Sequence, residues 1–374
     1  MNNELACFFC TTPYQIISAI SIVQHESIDA DIYIINQFLK SEELAEEIDE
    51  KDIFHSVYYI DESRYYGWFR KRKSKLLTYF GLLKCYLDID SIVDSIIARR
   101  KYKSLYASSK ALTGRLVFLY YCKHNLSAEY HYFDDGIDSY IKPLSRDARK
   151  VDAICRRLIF GRKALNVKYD LILYSPELYY MLNNHSIIVN KLNTIDKNEQ
   201  NSIFLSNCYF RNTSSHISEI CLILDTIREI ELNVLGCREI DKIYGEISEI
   251  IGENNLIYKT HPRSQQDRSL KVTDREGIPL EAFCYFNDYS DKIFITIKST
   301  AAFTPKLLFN QEPTIIFLYK LLENNILNLQ PKMDDLCIAV KSIYNNPEKV
   351  CIPSSDKELK QILHSLIEEK LVKI

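Results

Sequence analysis

An acidic pair followed by glycine, Asp134-Asp135-Gly136, comes directly after a predicted strand at 129–133. At such a place one carboxylate can point towards a ligand while the other points away. A carboxylate held there could act as a general base on a hydroxyl group. An Asp-Gly pair is also a common turn, so these residues alone leave both interpretations open.

The segment from Lys259 to Arg263, KTHPR, follows a predicted strand at 255–259. Because Pro262 disfavours helix at the residue before it, His261 is expected on an extended turn. A histidine in a cleft can act as a general acid or bring positive charge to a phosphate. The alternative is a histidine that only hydrogen-bonds its own loop.

Two further motifs lie in the second half of the chain. Ser299 and Thr300 follow a predicted strand at 293–297, and their hydroxyl and backbone N–H groups can bind an anion or cap a helix. Glu281, in the sequence GIPLE, could accept hydrogen bonds from a ribose. An acid that favours the start of a helix is the simpler explanation for it.

The first predicted strand, at residues 5–10, contains Cys7 and Cys10 at the spacing of a redox dithiol or half a zinc site. Residues three apart in a strand point to opposite faces, and a redox pair places its first cysteine at a helix start. We therefore expect core packing. Thr12 and Pro13 then predict a helix start. The residues expected to line the site at this strand end are Thr11, Thr12 and Gln15.

The composition excludes several classes of protein. The 374 residues suggest about two domains, and the net charge of −3 gives no basic field for nucleic acid. The 11 scattered cysteines favour reduced thiols and a cytoplasmic location. No apolar run approaches the roughly 20 residues that cross a bilayer. The sequence has no glycine-rich nucleotide motif and no zinc spacing.

Strands and helices alternate along the chain, which predicts parallel sheets covered by helices. The expected strands are 5–10, 31–36, 56–60, 103–107, 129–133, 170–174, 202–206, 255–259, 293–297 and 314–318, and helices are expected near 111–124 and 215–231. The predicted domains are 1–190 and 198–352, joined by a polar linker within 189–201, with a C-terminal amphipathic helix at 355–374 that packs on the body. Because open α/β sheets bind ligands beyond the carboxyl ends of their strands, motifs that follow strands have the most weight.

The order of the four motifs resembles that of the bacterial sialyltransferases: an acidic pair with glycine, then His-Pro, then Pro-Leu-Glu, then Ser-Thr. The start CTTPYQ and the sequence THPR are most similar to glycosyltransferase family 52. That family contains lipooligosaccharide and capsule sialyltransferases and some glucosyltransferases. The resemblance spans roughly residues 5–320. It implies an α/β GT-B fold, with two Rossmann-like domains facing across a central cleft, the first on the acceptor side and the second on the donor side.

The resemblance also implies a reaction. Sialic acid would move with inversion from CMP-sialic acid to a terminal galactoside of a bacterial surface glycan, with no metal or other cofactor. Asp135 would be the general base, and His261 would assist the departure of CMP. The implied donor-binding residues are Lys259, Pro262, Glu281, Ser299 and Thr300, and Asp134 and Gly136 would line the cleft.

Two alternatives remain open at this stage. A family member could use another nucleotide sugar, or the chain could be a non-catalytic nucleotide-binding member of a capsule assembly complex. In at least one relative the base is an acid after the first strand of the second domain. Residues 206–211 of this chain, SNCYFR, contain no acid, and this favours the alternatives.

Residues 64–75, RYYGWFRKRKSK, interleave basic and aromatic side chains. This composition suits an anionic membrane surface, although a solvated loop or helix with an aromatic anchor would also explain it. The residues named for that contact are Arg64, Trp68, Arg70, Lys71 and Arg72. We expect a cytoplasmic protein, with attachment to the inner face of the plasma membrane and a homodimer as open options, and no nucleic-acid partner.

Overall fold

The computed structural model describes residues 5–38, 40–65, 75–108, 112–141, 156–161, 169–183, 187–195, 220–224, 234–259, 280–322 and 330–371. The chain divides into two compact units, Met1–Tyr209 and Phe210–Ile374. Each unit is built around one sheet in which every described strand pairing is parallel.

The first unit has seven strands among its described residues. They are β1 (Ala6–Cys10), β2 (Ala30–Ile35), β3 (Ser56–Ile60), β4 (Ser104–Ala107), β5 (Glu129–Phe133), β6 (Tyr169–Leu173) and β7 (Val189–Lys191). Their order in the sheet is β3-β2-β1-β4-β5-β6-β7. The helices are α1 (Pro13–Glu26), α2 (Ser41–Asp49), α3 (Lys75–Leu87), α4 (Ile89–Ile97), α5 (Leu112–Lys123), α6 (Asp138–Ile141) and α7 (Pro176–Leu182).

The second unit has five strands among its described residues. They are β8 (Cys221–Leu224), β9 (Leu256–Lys259), β10 (Ile293–Thr296), β11 (Thr314–Phe317) and β12 (Val350–Cys351), in the order β12-β11-β10-β8-β9. The helices are α8 (Val234–Ile251), α9 (Leu280–Phe286), α10 (Thr304–Phe309), α11 (Gln330–Ile343) and α12 (Asp356–Leu371). The first order is 3-2-1-4-5-6-7, and the second becomes 2-1-3-4-5 when its strands are counted from β8 and the order is given from β9 to β12. Both orders are typical of doubly wound α/β domains.

The central strands are buried on both faces because their sequences are almost continuously apolar. Every residue of β1 and β2 is buried, and the register places Phe8 between Ile32 and Tyr106. Cys7 and Cys10 are free thiols with no exposed surface. Burial raises the pKa of both thiols, so the predicted core packing is confirmed.

The structure corrects two expectations of secondary structure. The region near 215–231, predicted as a helix, contains the central strand β8, because a short apolar run such as CLIL does not distinguish strand from helix by periodicity. The polar stretch 189–201, interpreted as a linker, begins with β7, which pairs with β6. This edge strand has one buried residue and two exposed ones, so its composition looks like a loop. The predicted strand 202–206 lies outside the described residues.

The other predicted strands and helices within the described residues are present in the structure, whereas β12 and most of the helices were not predicted. The helix expected near 111–124 is α5, and the C-terminal amphipathic helix is α12. Leu359 and Leu363 are buried on α12, and Lys360 forms an ion pair with Glu246 of α8, with 2.9 Å between Nζ and Oε2. The C-terminal helix therefore packs on the second unit.

A buried ionic network lies at the amino-terminal ends of the strands of the first sheet. Asp31 has no exposed surface. Its Oδ2 accepts from Arg100 Nη1 at 2.8 Å and from the Tyr102 hydroxyl at 2.7 Å. The Tyr102 and Tyr33 hydroxyls are also hydrogen-bonded to each other, at 2.6 Å. Since ligands of such sheets bind at the opposite edge, this network is structural.

Helix α5 approaches the sheet closely through Gly114. A Cβ on this glycine would lie 2.6 Å from the Ala107 Cβ and 3.3 Å from Phe9. Neither neighbour is the flexible end of a side chain, so an added methyl group would force the helix away from β4 and β1.

We predict that Gly114→Ala lowers the free energy of unfolding by about 1–3 kcal/mol through overpacking. Replacing glycine by alanine inside a helix normally stabilises by at most about 1 kcal/mol, so the steric cost decides the sign. The matched control is Gly245→Ala in α8, where an added Cβ has no neighbour within 4 Å. Denaturant titration should show opposite signs for the two variants, and stabilisation by Gly114→Ala would contradict the close approach.

Candidate functional site

Polar residues gather at the carboxyl edge of the first sheet because all its strands are parallel. The strand order reverses between β1 and β4, and ligands of open α/β sheets bind at such a switch point. Thr11 and Thr12 follow β1, Ser108 follows β4, and Asp134-Asp135 follows the neighbouring strand β5. The sequence-predicted residues of the first unit therefore lie at the edge where a ligand is expected.

Asp134 is fully buried and holds this edge together. Its Oδ1 accepts from the backbone N–H of Gly136 at 2.8 Å. Its Oδ2 accepts from the backbone N–H of Tyr174 at 3.2 Å and from the Tyr140 hydroxyl in a short hydrogen bond. Although these hydrogen bonds favour the carboxylate, burial raises the pKa of Asp134 to about 7.

Helix α1 contributes two residues to the surroundings of Asp134. Tyr14 is buried, and its ring meets that of Tyr174 edge to face, with centroids 6.1 Å apart. Burial and the charge of Asp134 raise the pKa of Tyr14. The Tyr174 hydroxyl donates to Ser18 Oγ at 3.2 Å. The buried carboxyl group and its aromatic neighbours thus connect β5 and β6 to the helix that follows β1.

Asp135 differs from its neighbour because it is only half-buried. Its Oδ1 accepts from the Ser139 hydroxyl at 2.7 Å, and its backbone N–H donates to the same hydroxyl at 3.0 Å. Gly136 has a φ of 91°, a left-handed conformation that favours glycine. The turn therefore encloses Asp134 and leaves the oriented Asp135 carboxylate partly accessible.

The three residues expected at the end of β1 form the start of α1. Gln15 N donates to Thr12 Oγ1 at 3.3 Å, as the predicted cap requires. Gln15 Oε1 accepts from the backbone N–H of Thr11 at 2.6 Å and from its hydroxyl at 3.1 Å. This reciprocal arrangement is a variant of a capping box. Because Thr11 and Gln15 are buried and bonded to each other, their role as lining residues stays a prediction.

Sequence reasoning missed a second polar cluster, at the ends of β2 and β3. Glu62 is buried, and its carboxylate accepts from Gln37 Nε2 and from Thr113 Oγ1, both at 2.8 Å. Asn36 Nδ2 donates to Asp61 Oδ1 at 2.5 Å. The signal was present, since Asn36-Gln37 lies at the end of the predicted strand 31–36 and Asp61-Glu62 directly follows the predicted strand 56–60, as Asp134-Asp135 follows 129–133.

In the second unit the strand order reverses between β8 and β10. The Thr296 hydroxyl, at the end of β10, donates to the Leu224 carbonyl at the end of β8 at 2.8 Å and accepts from Ser299 N at 2.9 Å. Ser299 precedes the 3-10 turn Thr300–Phe303, and its side chain does not cap that turn. Both hydroxyl residues of the motif are half-buried at the switch point.

Two other predicted donor-binding residues, Lys259 and Glu281, interact electrostatically. Lys259, the last residue of β9, is buried, and Glu281 lies in the first turn of α9. Burial raises the pKa of the Glu281 carboxyl, and the positive charge of Lys259 opposes that rise. The lysine at the carboxyl end of β9 thus interacts electrostatically with the glutamate in the first turn of α9.

Several predicted site residues lie outside the described residues: His261, Pro262, Trp68, Arg70, Lys71, Arg72 and the segment 206–211. In the part of the chain that is described, no group of three or more His, Cys, Asp or Glu side chains is arranged to hold a metal. No helix in that part is long and apolar enough to cross a membrane.

No protein-family model matches the chain, and no curated protein matches it in sequence. Solved structures match its fold. The glycotransferase of kitacinnamycin has a TM-score of 0.55 at 7% identity, over 98% of this chain and 91% of its own. The spinosyn rhamnosyltransferase complexed with thymidine diphosphate has a TM-score of 0.53 at 13% identity, over 98% and 91%.

A third structure is the UDP-GlcNAc 2-epimerase of Methanocaldococcus jannaschii in complex with UDP-GlcNAc and UDP. It has a TM-score of 0.50 at 15% identity, over 97% of this chain and 99% of its own. These likenesses establish the GT-B fold that the sequence predicted, with two Rossmann-like domains. Because transferases and an epimerase share it, the fold alone does not determine the reaction.

We predict that Asp134 makes stability fall as pH rises. Its pKa is about 7 in the folded protein and about 3.9 in an unfolded chain, so the folded state holds the extra proton between these values. The free energy of unfolding should therefore decrease by about 1.4 kcal/mol per pH unit from roughly pH 4 to 7 on account of this group.

Asp134→Asn is neutral at every pH and removes this contribution. Denaturant titrations of both proteins across that pH range should show a steeper decline for the parent. Equal slopes in the two proteins would contradict a buried carboxyl group with a raised pKa.

Proposed function

We propose that the chain is an inverting glycosyltransferase of the family 52 type, which transfers sialic acid from CMP-sialic acid to a terminal galactoside of a bacterial surface glycan. The observation that supports this best is the difference in burial between the two adjacent acids at the end of β5, Asp134 and Asp135. Asp134 is buried and hydrogen-bonded within the protein. Asp135 remains partly accessible, and the Ser139 hydroxyl orients its carboxylate by a hydrogen bond.

In the proposed reaction Asp135 takes the proton of the acceptor hydroxyl while that oxygen bonds to the anomeric carbon of sialic acid. The bond between this carbon and the phosphate oxygen of CMP breaks in the same step. His261 supports the leaving phosphate by positive charge or by a proton. Positioning and stabilisation of the phosphate charge supply most of the rate enhancement in such a displacement.

The donor would bind at the carboxyl edge of the second sheet. Ser299 and Thr300, beside the switch point between β8 and β10, offer hydroxyl and backbone N–H groups for the phosphate. Lys259 brings positive charge to the same edge, and Glu281 would accept hydrogen bonds from the ribose. The raised pKa of the Glu281 carboxyl fits a group that a polar ligand would help to solvate.

A second candidate is a transferase that uses a nucleoside diphosphate sugar. It is favoured by the ligands of two structures with this fold, thymidine diphosphate and UDP. A third candidate is a nucleotide-binding member of a capsule assembly complex without activity. The first two differ in the nucleotide that binds, and the third differs from both in the absence of turnover.

We predict that CMP raises the melting temperature of the full chain more than UDP, GDP or thymidine diphosphate does. Ligand binding to the native state stabilises it by mass action, by about 2.7 kcal/mol at a concentration 100 times Kd. Ser299→Ala should weaken CMP binding. The matched control is Ser290→Ala, which lies before the amino end of the same strand, β10. A larger effect of UDP would move the assignment to the second candidate.

We predict that Asp135→Asn lowers CMP release from CMP-sialic acid and a lactose-type acceptor by about a hundredfold or more, since general-base catalysis contributes about 10²–10⁴. Glu129→Gln changes an exposed carboxylate at the other end of β5 and should keep the parent rate. His261→Ala should also slow the reaction. Full activity of Asp135→Asn, with folding confirmed by its melting temperature, would remove this residue from the mechanism.

A further inference from the structure

The outer face of helix α3 is apolar and basic. Phe80 and Leu87 are 58% and 64% exposed, and Lys84 is exposed between them. Their i, i+4, i+7 spacing places the three side chains on one side of the helix. Cys85 and Tyr86 are buried on the other side. Helices on a water-exposed surface normally direct large apolar side chains inwards. The exposed Phe80 and Leu87 therefore depart from the usual pattern.

A helical turn at residues 156–160 lies next to α3. Its Phe160 is buried and meets the ring of Tyr86 edge to face, with centroids 5.6 Å apart. The turn is therefore anchored beside α3. It exposes Arg157, and its Leu158 is 79% exposed. Two neighbouring elements of the first unit thus each present a basic side chain together with large apolar ones.

Basic residues are frequent in the part of the sequence that includes α3. Between Glu62 and Asp88 there are seven basic residues and no acidic residue, although the whole chain has a net charge of −3. Arg64 is partly neutralised, because its Nε lies 3.6 Å from Asp61 Oδ2. This stretch of sequence is therefore strongly basic within a protein that is acidic overall.

We propose that Phe80, Lys84, Leu87, Arg157 and Leu158 form a docking surface for an anionic lipid bilayer. Exposed aliphatic and aromatic side chains insert at the boundary between headgroups and acyl chains, and basic side chains bind anionic headgroups. A surface that combines both types matches the two layers of such a boundary. This proposal goes beyond glycosyl transfer and does not require it.

Other occupants fit this surface less well. A two-fold interface with a second copy would bury this patch against an identical patch, so that basic side chains, Lys84 and Arg157, are contributed from both sides without an acidic partner among the five residues, and like charges across an interface are unfavourable. A nucleic acid would use the basic residues, but aliphatic side chains such as Leu87 gain little from phosphates or stacked bases. A lipid surface uses all five residues.

The test is flotation of the full chain with vesicles of phosphatidylcholine, alone or mixed with phosphatidylglycerol. Binding is expected only to the mixed vesicles and should weaken as salt is raised. Leu87→Asp and Phe80→Asp should each lower partitioning about tenfold or more, because each replaces an inserting apolar side chain by a charge of the wrong sign. The matched control is Ile338→Asp on α11, where the parent side chain is 66% exposed.

Each variant must have the melting temperature of the parent. If Leu87→Asp is destabilised, Leu87→Gln takes its place in the flotation experiment. The proposal is overturned if mixed vesicles fail to bind or if Ile338→Asp lowers binding as much as Leu87→Asp. It is also overturned by a solution dimer that Leu87→Asp dissociates, or by equally tight binding to duplex DNA that Phe80→Asp leaves unchanged. Turnover of a soluble acceptor should be the same for Leu87→Asp and the parent, so failure of the docking surface and failure of the proposed reaction are distinguishable.

Discussion

Parallel strand pairing is the constraint on which the candidate site depends. Because every described pair in both sheets is parallel, residues that follow different strands meet at one edge of each sheet, even when many residues separate them. The reversal of strand order, between β1 and β4 in the first unit and between β8 and β10 in the second, then marks the place where sheets of this kind bind their ligands. Polar residues elsewhere, such as the Asp31 network, lie at the opposite edge and stabilise the fold.

The buried residue Asp134 fixes the turn that positions the next acidic residue, Asp135. Its hydrogen bonds to Gly136, Tyr140 and Tyr174 use its carboxylate oxygens inside the protein, so the turn has a fixed shape. That shape lets Ser139 orient the next residue, Asp135. An adjacent acidic pair therefore need not be two equivalent groups. The first, whose pKa burial raises to about 7, fixes the shape of the turn, and the second remains partly accessible.

Local sequence predicted most of the described strands and the start of α1, because apolar strands such as β1 and β2 and the Thr12-Pro13 helix start are decided by neighbouring residues. β8 was missed, because four consecutive apolar residues have no distinctive period. The strand-end rule located Asp134 and Asp135, but their different burial depends on Tyr174, which belongs to another strand end. Glu62 could have been found by the same rule, since it follows a predicted strand, but its burial against Thr113 could not, because that hydrogen bond joins distant parts of the chain. Long-range contacts of this kind are absent from local patterns.

The position of β1 in the centre of its sheet has a consequence for synthesis on the ribosome. β1 pairs with β2, which is close in sequence, but its other partner, β4, follows about a hundred residues later. During translation one side of this apolar strand lacks its partner until Ala107 has left the exit tunnel. Sheets with such distant pairings fold slowly and expose strand edges meanwhile. A nascent chain of this protein therefore exposes an unpaired apolar strand edge for longer than a chain whose strands pair only with their neighbours in sequence.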